Sequence, residues 1–172
     1  MTLLTAEIRS YVGLSSGPIT MPEPVEKGAV RRHAQALMDE APRYSEAVPG
    51  DRFGAPVAPP MFPSFMLRRS LGAPNPLTER AADTDFDGLT LDIYTGLPEL
   101  PLPGLALMAA GMEVEFYRYA RHGEQVVQEA VYSDIYERVS KNGPMLFVIV
   151  DTEYRTAGGE VLMRLRFNYV RR

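Results

Sequence analysis

Two histidines, His33 and His122, and no cysteine occur in the 172-residue sequence. A cysteine nucleophile, a thiolate metal site and a disulfide framework are excluded, and so is a three-histidine metal centre. A Ser–His–Asp triad would have to use one of the two imidazoles. His33 follows Arg31 and Arg32 in a stretch of helical spacing, where a packed or solvent-facing histidine accounts for it. His122 stands among Arg121, Gly123 and Glu124 in a turn-like run, and nothing in its spacing points to a chemical role. The stretch Asp83-Thr-Asp-Phe-Asp-Gly88 sets three carboxylates at alternate positions before a glycine, as in the first half of a calcium-binding EF-hand loop. The twelfth position of such a loop needs a bidentate Glu and here is Tyr94, and Pro74 and Pro76 interrupt any preceding helix. A solvated acidic loop fits better, so neither a metal nor another cofactor is expected. The most informative chemistry lies in Asp39-Glu-Ala-Pro-Arg-Tyr44 and, after a short interval, Val57-Ala-Pro-Pro-Met-Phe62.

Composition narrows the classes further. The chain is 45% hydrophobic and 23% charged, with a net charge of -4. That suits one globular domain over residues 1–172 with a core of its own, and it gives no electrostatic footprint for nucleic acid. No segment approaches the roughly 18 apolar residues of a membrane span. The first ten residues, MTLLTAEIRS, lack the pattern of a signal peptide. A cytoplasmic protein without a membrane or nucleic-acid partner is expected.

Proline divides the elements that must hold any site. Fourteen of the fifteen prolines precede residue 104, and proline is excluded from central strands, so regular sheet is expected only after that point. Four strands are predicted there: Met112–Tyr119, Val126–Val139, Leu146–Val150 and Val161–Val170. Met112–Tyr119 and Val161–Val170 alternate, and Val126–Val139 has Val131, Ile135 and Val139 in phase with Tyr132 and Tyr136 between them. Leu146–Val150 is apolar throughout and reads as a central strand covered on both faces. The turn signals His122-Gly123, Asn142-Gly143 and Gly158-Gly159 are too short for crossovers and predict an antiparallel meander. Before residue 104, Val25–Asp39 has helical spacing after Pro24 and before Pro42. Met61–Leu71 reads as a short apolar helix that would be buried. Residues 77–103 carry Glu79, Asp83, Asp85, Asp87, Asp92 and Glu99 against Arg80 alone; an insertion of this length suits a lid or a partner contact.

The two segments around Asp39 and Pro60 resemble the MaoC-like hydratase and dehydratase family, in its fatty-acid-synthase-type dehydratase branch. Active members end a helix in Gly-Asp-x-Asn-Pro-x-His and open a central helix about twenty residues later with Ala-His-Gly-Met. Asp39, Pro42 and Tyr44 stand at the Asp, Pro and His positions, with Ala41 at the Asn. Arg121-His-Gly-Glu124 is similar to the family's Arg-Pro-Gly-Asp turn. The resemblance covers residues 13–171, with 71–105 as a loop insertion. It implies an α+β hot-dog fold, in which an antiparallel sheet wraps around a central helix.

The departures decide what the resemblance implies for chemistry. Tyr44 replaces an imidazole with a phenol of ordinary pKa about 10, a poor general base at neutrality. Pro60, preceded by Pro59, replaces the glycine whose N–H would bind the thioester oxygen, and proline has no N–H. The resemblance thus implies a subunit of an acyl-CoA (or acyl-carrier-protein) hydratase/dehydratase with a degenerate site, in which a partner hot-dog subunit supplies the Asp/His dyad. Met61, Phe62, Phe65 and Met66, with Pro60, would line the acyl tunnel, though core packing accounts for them as well. A self-sufficient homodimeric hydratase or thioesterase using Asp39, and a non-catalytic acyl-CoA-binding module, stay open.

Overall fold

The computed structural model describes residues 2–67, 72–84, 86, 95–141 and 143–172. Five antiparallel strands form one sheet: β1 (Ile19–Thr20), β2 (Leu107–Phe116), β3 (Val126–Ser140), β4 (Gly143–Thr156) and β5 (Val161–Arg171), in the order β1-β3-β4-β5-β2. Along β4, Leu146, Val148, Val150, Thr152 and Tyr154 are buried while the residues between them are only partly covered. This is the two-residue period of a strand with one face on the core. The expectation that both faces of Leu146–Val150 are covered therefore fails. Phe147 and Ile149 point to the other face, where Phe147 stacks on Tyr136 at 5.1 Å and Arg138 lies over both rings.

The predicted meander also fails. β2 pairs with β5 rather than with its chain neighbour β3. Cross-strand charge gives a reason: Glu113 and Glu115 stand opposite Arg166 and Arg164 of β5, whereas the same face of β3 presents Glu129. Opposite charges facing each other across a ladder stabilise it, and like charges do the reverse. The charge pattern continues inward, because Arg166 forks onto Asp151 with two 2.7 Å hydrogen bonds and Arg164 reaches Glu153 at 3.0 Å. The chain then crosses the sheet end between Tyr117 and Gln125. The Tyr117 and Arg118 N–H groups donate to the Leu162 carbonyl. Arg118 binds both oxygens of Glu124 at 2.9 Å and one of Glu160 at 2.7 Å. His122-Gly123 is thus part of a crossing strap, not a hairpin turn. The other two turns join β3 to β4 and β4 to β5 as predicted, with Asn142 itself outside the described residues.

Two apolar clusters cover the inner face. In the first, Met21, Val25, Val30, Ala34, Tyr44, Val57, Ala58 and Phe62 pack on Val126, Tyr154, Leu162 and Met163. In the second, Ile8 of a short helix α1 (Ala6–Arg9), with Leu97, Leu100 and Leu102, packs on Tyr132, Val148, Val150 and Tyr169. The predicted helix after Pro24 is present as α2 (Lys27–Ala36), one turn shorter than its apolar pattern suggests. Leu37 and Met38, apolar residues at the end of that predicted range, are exposed. The second predicted helix is reduced to a 3₁₀ turn, Phe62–Phe65, whose second residue is Pro63; residues 68–71 of that prediction lie outside the described residues. No helix is long and apolar enough, among the described residues, to cross a membrane.

The acidic insertion is only partly what its composition suggests. A short helix α3 (Pro76–Glu79) begins it, and Asp85, Asp87, Gly88, Asp92 and Tyr94 lie outside the described residues. Its end is core: Leu97 is wholly buried, Leu100 and Leu102 nearly so, and the Pro98 carbonyl accepts the Tyr132 hydroxyl at 2.8 Å. Leu97→Ala should therefore destabilise the fold by about 2–5 kcal/mol, as for other buried leucines, which chemical denaturation would measure. A loss under about 0.5 kcal/mol, typical of a surface site, would show that the segment does not close the core.

Candidate functional site

The helix α2 delivers Asp39 to the site through a tight C-terminal turn. The Met38 N–H donates to the Gln35 carbonyl and the Asp39 N–H to the Ala34 carbonyl, the paired bonds of a Schellman turn. Such a turn needs a left-handed residue, and Met38 fills that role at φ 55° with its side chain almost fully in solvent. This turn, rather than Pro42, ends the helix. Pro42 instead starts a 3₁₀ turn, Pro42–Tyr44, which buries the Tyr44 ring in the first cluster. The Tyr44 hydroxyl donates to Asp39 Oδ2 at 2.9 Å. Burial, followed by the Asp39 hydrogen bond and charge, pushes the Tyr44 phenol up to about 12. The two residues are brought together as the resemblance implies, but as a donor held on an acceptor.

The Ala-Pro-Pro segment is fixed beside them. The Val57 N–H donates to the Arg43 carbonyl at 3.0 Å and the Ala58 N–H to the Ala120 carbonyl at 2.8 Å. The extended chain thereby lies between the 3₁₀ turn and the strap. This spends the N–H groups of Val57 and Ala58 on backbone carbonyls, and Pro59 and Pro60 have none to offer. Phe62 is buried in the same cluster as Tyr44, with Met61 and Met66 packed against it. Phe65 is half-exposed and rests on His33, ring centroids 5.0 Å apart. A groove of about 170 Å³ beside Tyr44 is lined by Lys27, Arg31, Gln35, Glu40 and others, and by none of the residues from Pro60 to Met66. Phe62 is thus core, and Phe65 sits at the surface on His33.

The spacing of the histidines concealed where they go. His33 is enclosed by Phe62 and Phe65, and its Nε2 is buried without a hydrogen-bond partner among the described residues. Burial lowers its pKa. His122 is carried by the strap to the backbone of Tyr44. Burial and then the Lys27 ammonium lower its pKa, against the hydrogen bond with the Tyr44 backbone that raises it. Its Nε2 is also buried and unpartnered among the described residues. The only foreshadowing in the sequence was the Arg-His-Gly-Glu turn, which gives no distance to Tyr44. Among the described residues, no group of three or more His, Asp or Glu side chains could hold a metal.

With the fold and these contacts in view, residues 10–165 match the family model described as FAS1-like, dehydratase domain region. The chain belongs to that family. Its fold is also that of several solved proteins. A chain of the ChsH1–ChsH2 complex from Mycobacterium tuberculosis superposes with a TM-score of 0.67 at 19% identity, covering 96% of this chain and 86% of that one. A MaoC-like dehydratase from Rhodospirillum rubrum gives 0.56 at 19% identity, covering 94% and 93%. A chain of the HadBC (3R-hydroxyacyl-ACP dehydratase) complex from M. tuberculosis gives 0.54 at 14%, covering 93% and 96%. No curated protein matches in sequence. The MaoC-like resemblance and the antiparallel hot-dog architecture are borne out. What differs in this FAS1-like dehydratase domain is the cover of the sheet, which uses α2, a 3₁₀ turn and leucines of the insertion in the described residues.

Two measurements follow. Both histidines have lowered pKa values, so folding favours their neutral forms; that stability is present above about pH 6.5 and is lost as pH falls through the folded values. The melting temperature should fall between pH 7.5 and 5.5, and His33→Gln should flatten that slope; an unchanged slope would remove His33 as its source. Replacing Met38 by Gly should stabilise the protein by about 1 kcal/mol, because glycine carries no left-handed penalty. Equal or lower stability on denaturation would mean the Met38 side chain has a compensating contact.

Proposed function

We propose that this FAS1-like dehydratase domain is the non-catalytic member of a two-subunit hydratase/dehydratase acting on acyl-CoA or acyl-carrier-protein thioesters. A partner hot-dog subunit supplies the Asp/His pair that moves the water and proton between enoyl and 3-hydroxyacyl forms. The observation that carries this reading is the Tyr44–Asp39 hydrogen bond. Here a phenol raised to about 12 stands where the chemistry needs an imidazole titrating near neutrality. The Asp39 Oδ2 oxygen accepts this phenol rather than an imidazole. The two prolines remove the second requirement, a backbone donor for the thioester oxyanion. General base and oxyanion donor are each typically worth about 10²–10³ or more in rate, so their joint loss leaves little catalysis to this chain.

Two further observations support a partner. β2 is a ten-residue edge strand with no paired strand on its outer side among the described residues, and Met112 and Phe116 on it are about half-exposed; such an edge is a template for another chain. Two of the similar folds come from assemblies of unlike names, ChsH1–ChsH2 and HadBC.

The test is hydration of a short enoyl-CoA, followed as loss of conjugated thioester absorbance. The purified chain alone should show no turnover while folded, and activity should appear on adding a hot-dog subunit with an intact Asp-x-Asn-Pro-x-His motif. In that complex, Asp39→Ala and Tyr44→Phe should leave kcat unchanged. Turnover by the chain alone, abolished by Asp39→Ala, would establish instead a homodimeric enzyme that uses Asp39. Thioester hydrolysis abolished by the same variant would make it a thioesterase, and CoA binding with no turnover alongside any partner would leave a binding module.

A further inference from the structure

The strand β2 carries a near-palindrome, Met112-Glu-Val-Glu-Phe116, with apolar residues on one face and two carboxylates on the other. On its paired side it meets Met163-Arg-Leu-Arg-Phe167 of β5 residue for residue. Met112 lies opposite Phe167, Glu113 opposite Arg166, Val114 opposite Leu165, Glu115 opposite Arg164 and Phe116 opposite Met163. The other side has no paired strand among the described residues, and Met112, Glu113, Glu115 and Phe116 are all exposed. The β5 arginines are shared with β4. Arg166 feels the Glu113 charge but forks onto Asp151 at 2.7 Å, and Arg164 binds Glu153 at 3.0 Å. Glu115 accepts the neutral Tyr117 hydroxyl at 2.7 Å. Neither glutamate is in an ion pair within 4.0 Å among the described residues, so the free edge presents two carboxylates, each able to take a cation.

A second copy of the chain meets a conflict at this edge. An antiparallel pairing with its two-fold axis at Val114 lays Met112 on Phe116 and Val114 on Val114, which takes the exposed apolar side chains out of water. The same register sets Glu113 opposite Glu115 twice, and like charges directly opposed destabilise a ladder. Moving the axis parts Met112 from Phe116, and a move to Glu113 or Glu115 sets that carboxylate against itself. β5 shows what resolves the conflict, because its Met-Arg-Leu-Arg-Phe run meets the apolar and the acidic positions together. We propose that the free side of β2 accepts a strand of the same alternation, apolar and basic, from an unlike hot-dog subunit, and that Glu113 and Glu115 keep a second copy of this chain out. This rests on the two-subunit reading above and names what selects the partner.

Sedimentation velocity of the full chain at low salt tests it, with the chain's own variants as probes. The parent should stay a monomer. The single reversal Glu113→Lys turns both opposed pairs of the Val114 register into Lys–Glu pairs, so this variant should self-associate roughly tenfold or more tightly than the parent. The double reversal Glu113→Lys/Glu115→Lys should not self-associate, yet it should form a 1:1 dimer when mixed with the parent. That mixed dimer should weaken as salt is raised. Reversal also sets lysine opposite Arg164 or Arg166, so circular dichroism checks that each variant is folded. If the reversals do not fold, Glu113→Gln/Glu115→Gln removes the repulsion without adding charge and should associate more tightly than the parent. A parent that dimerises as tightly as Glu113→Lys or as the neutral variant would overturn the proposal, and so would a mixture that stays monomeric with both chains folded. Because association is read and not turnover, this result can fail while turnover with a partner succeeds, and the reverse.

Discussion

A curved antiparallel sheet has one apolar face that must be taken out of water, and this chain covers it without a long central helix among its described residues. That constraint organises the rest. The cover is assembled from α2, the 3₁₀ turn at Phe62–Phe65, α1 and the leucines at 97, 100 and 102. Short pieces bury less surface each than one long helix, so several must meet at the same place, and each must end sharply. Schellman closure at Met38 ends α2 in this way, and Pro42 and Pro63 open the two 3₁₀ turns that follow.

The same economy governs the Asp39–Tyr44 corner. Tyr44 is needed as core: its ring belongs to the cluster that seats α2 on the sheet. A phenol buried there must satisfy its hydroxyl, and the carboxylate at the helix end is the acceptor within reach. The Tyr44–Asp39 hydrogen bond thereby helps to close the fold at this corner. Pro59 and Pro60 act in the same sense: they stiffen the extended segment that locks the 3₁₀ turn at Tyr44 to the strap.

Much of this was legible from residue order. The alternation of β5, the two glycine-bearing turns on either side of β4 and the apolar stripe of α2 follow from spacing alone, because they are local; the period of two in β4 does not, because Leu146–Val150 is apolar at every position. The pairing of β2 was not, since it depends on which strand places Arg164 and Arg166 opposite Glu113 and Glu115. Leu97, Leu100 and Leu102 were hidden because they lie between prolines in an acidic stretch and repeat with neither period of two nor of 3.6. Asp39 and Tyr44 could be matched by motif, but only the fold shows the phenol donating to the carboxylate. The arrival of His122 at the Tyr44 backbone comes from the strap crossing the sheet and leaves no trace in local spacing.

The strap has a kinetic consequence. β3, β4 and β5 are joined by turns of a few residues, so their ladders close short loops and have little entropy to overcome. β2 cannot pair until β5, made some fifty residues later, is in place and the Arg118–Glu124–Glu160 cluster has fastened the crossing. The strand at this edge of the sheet therefore pairs after the turn-linked strands, and the edge itself exists only once β5 and the strap are in place. Order of folding is thereby written into topology: the short-loop ladders close first, and the long-range one later.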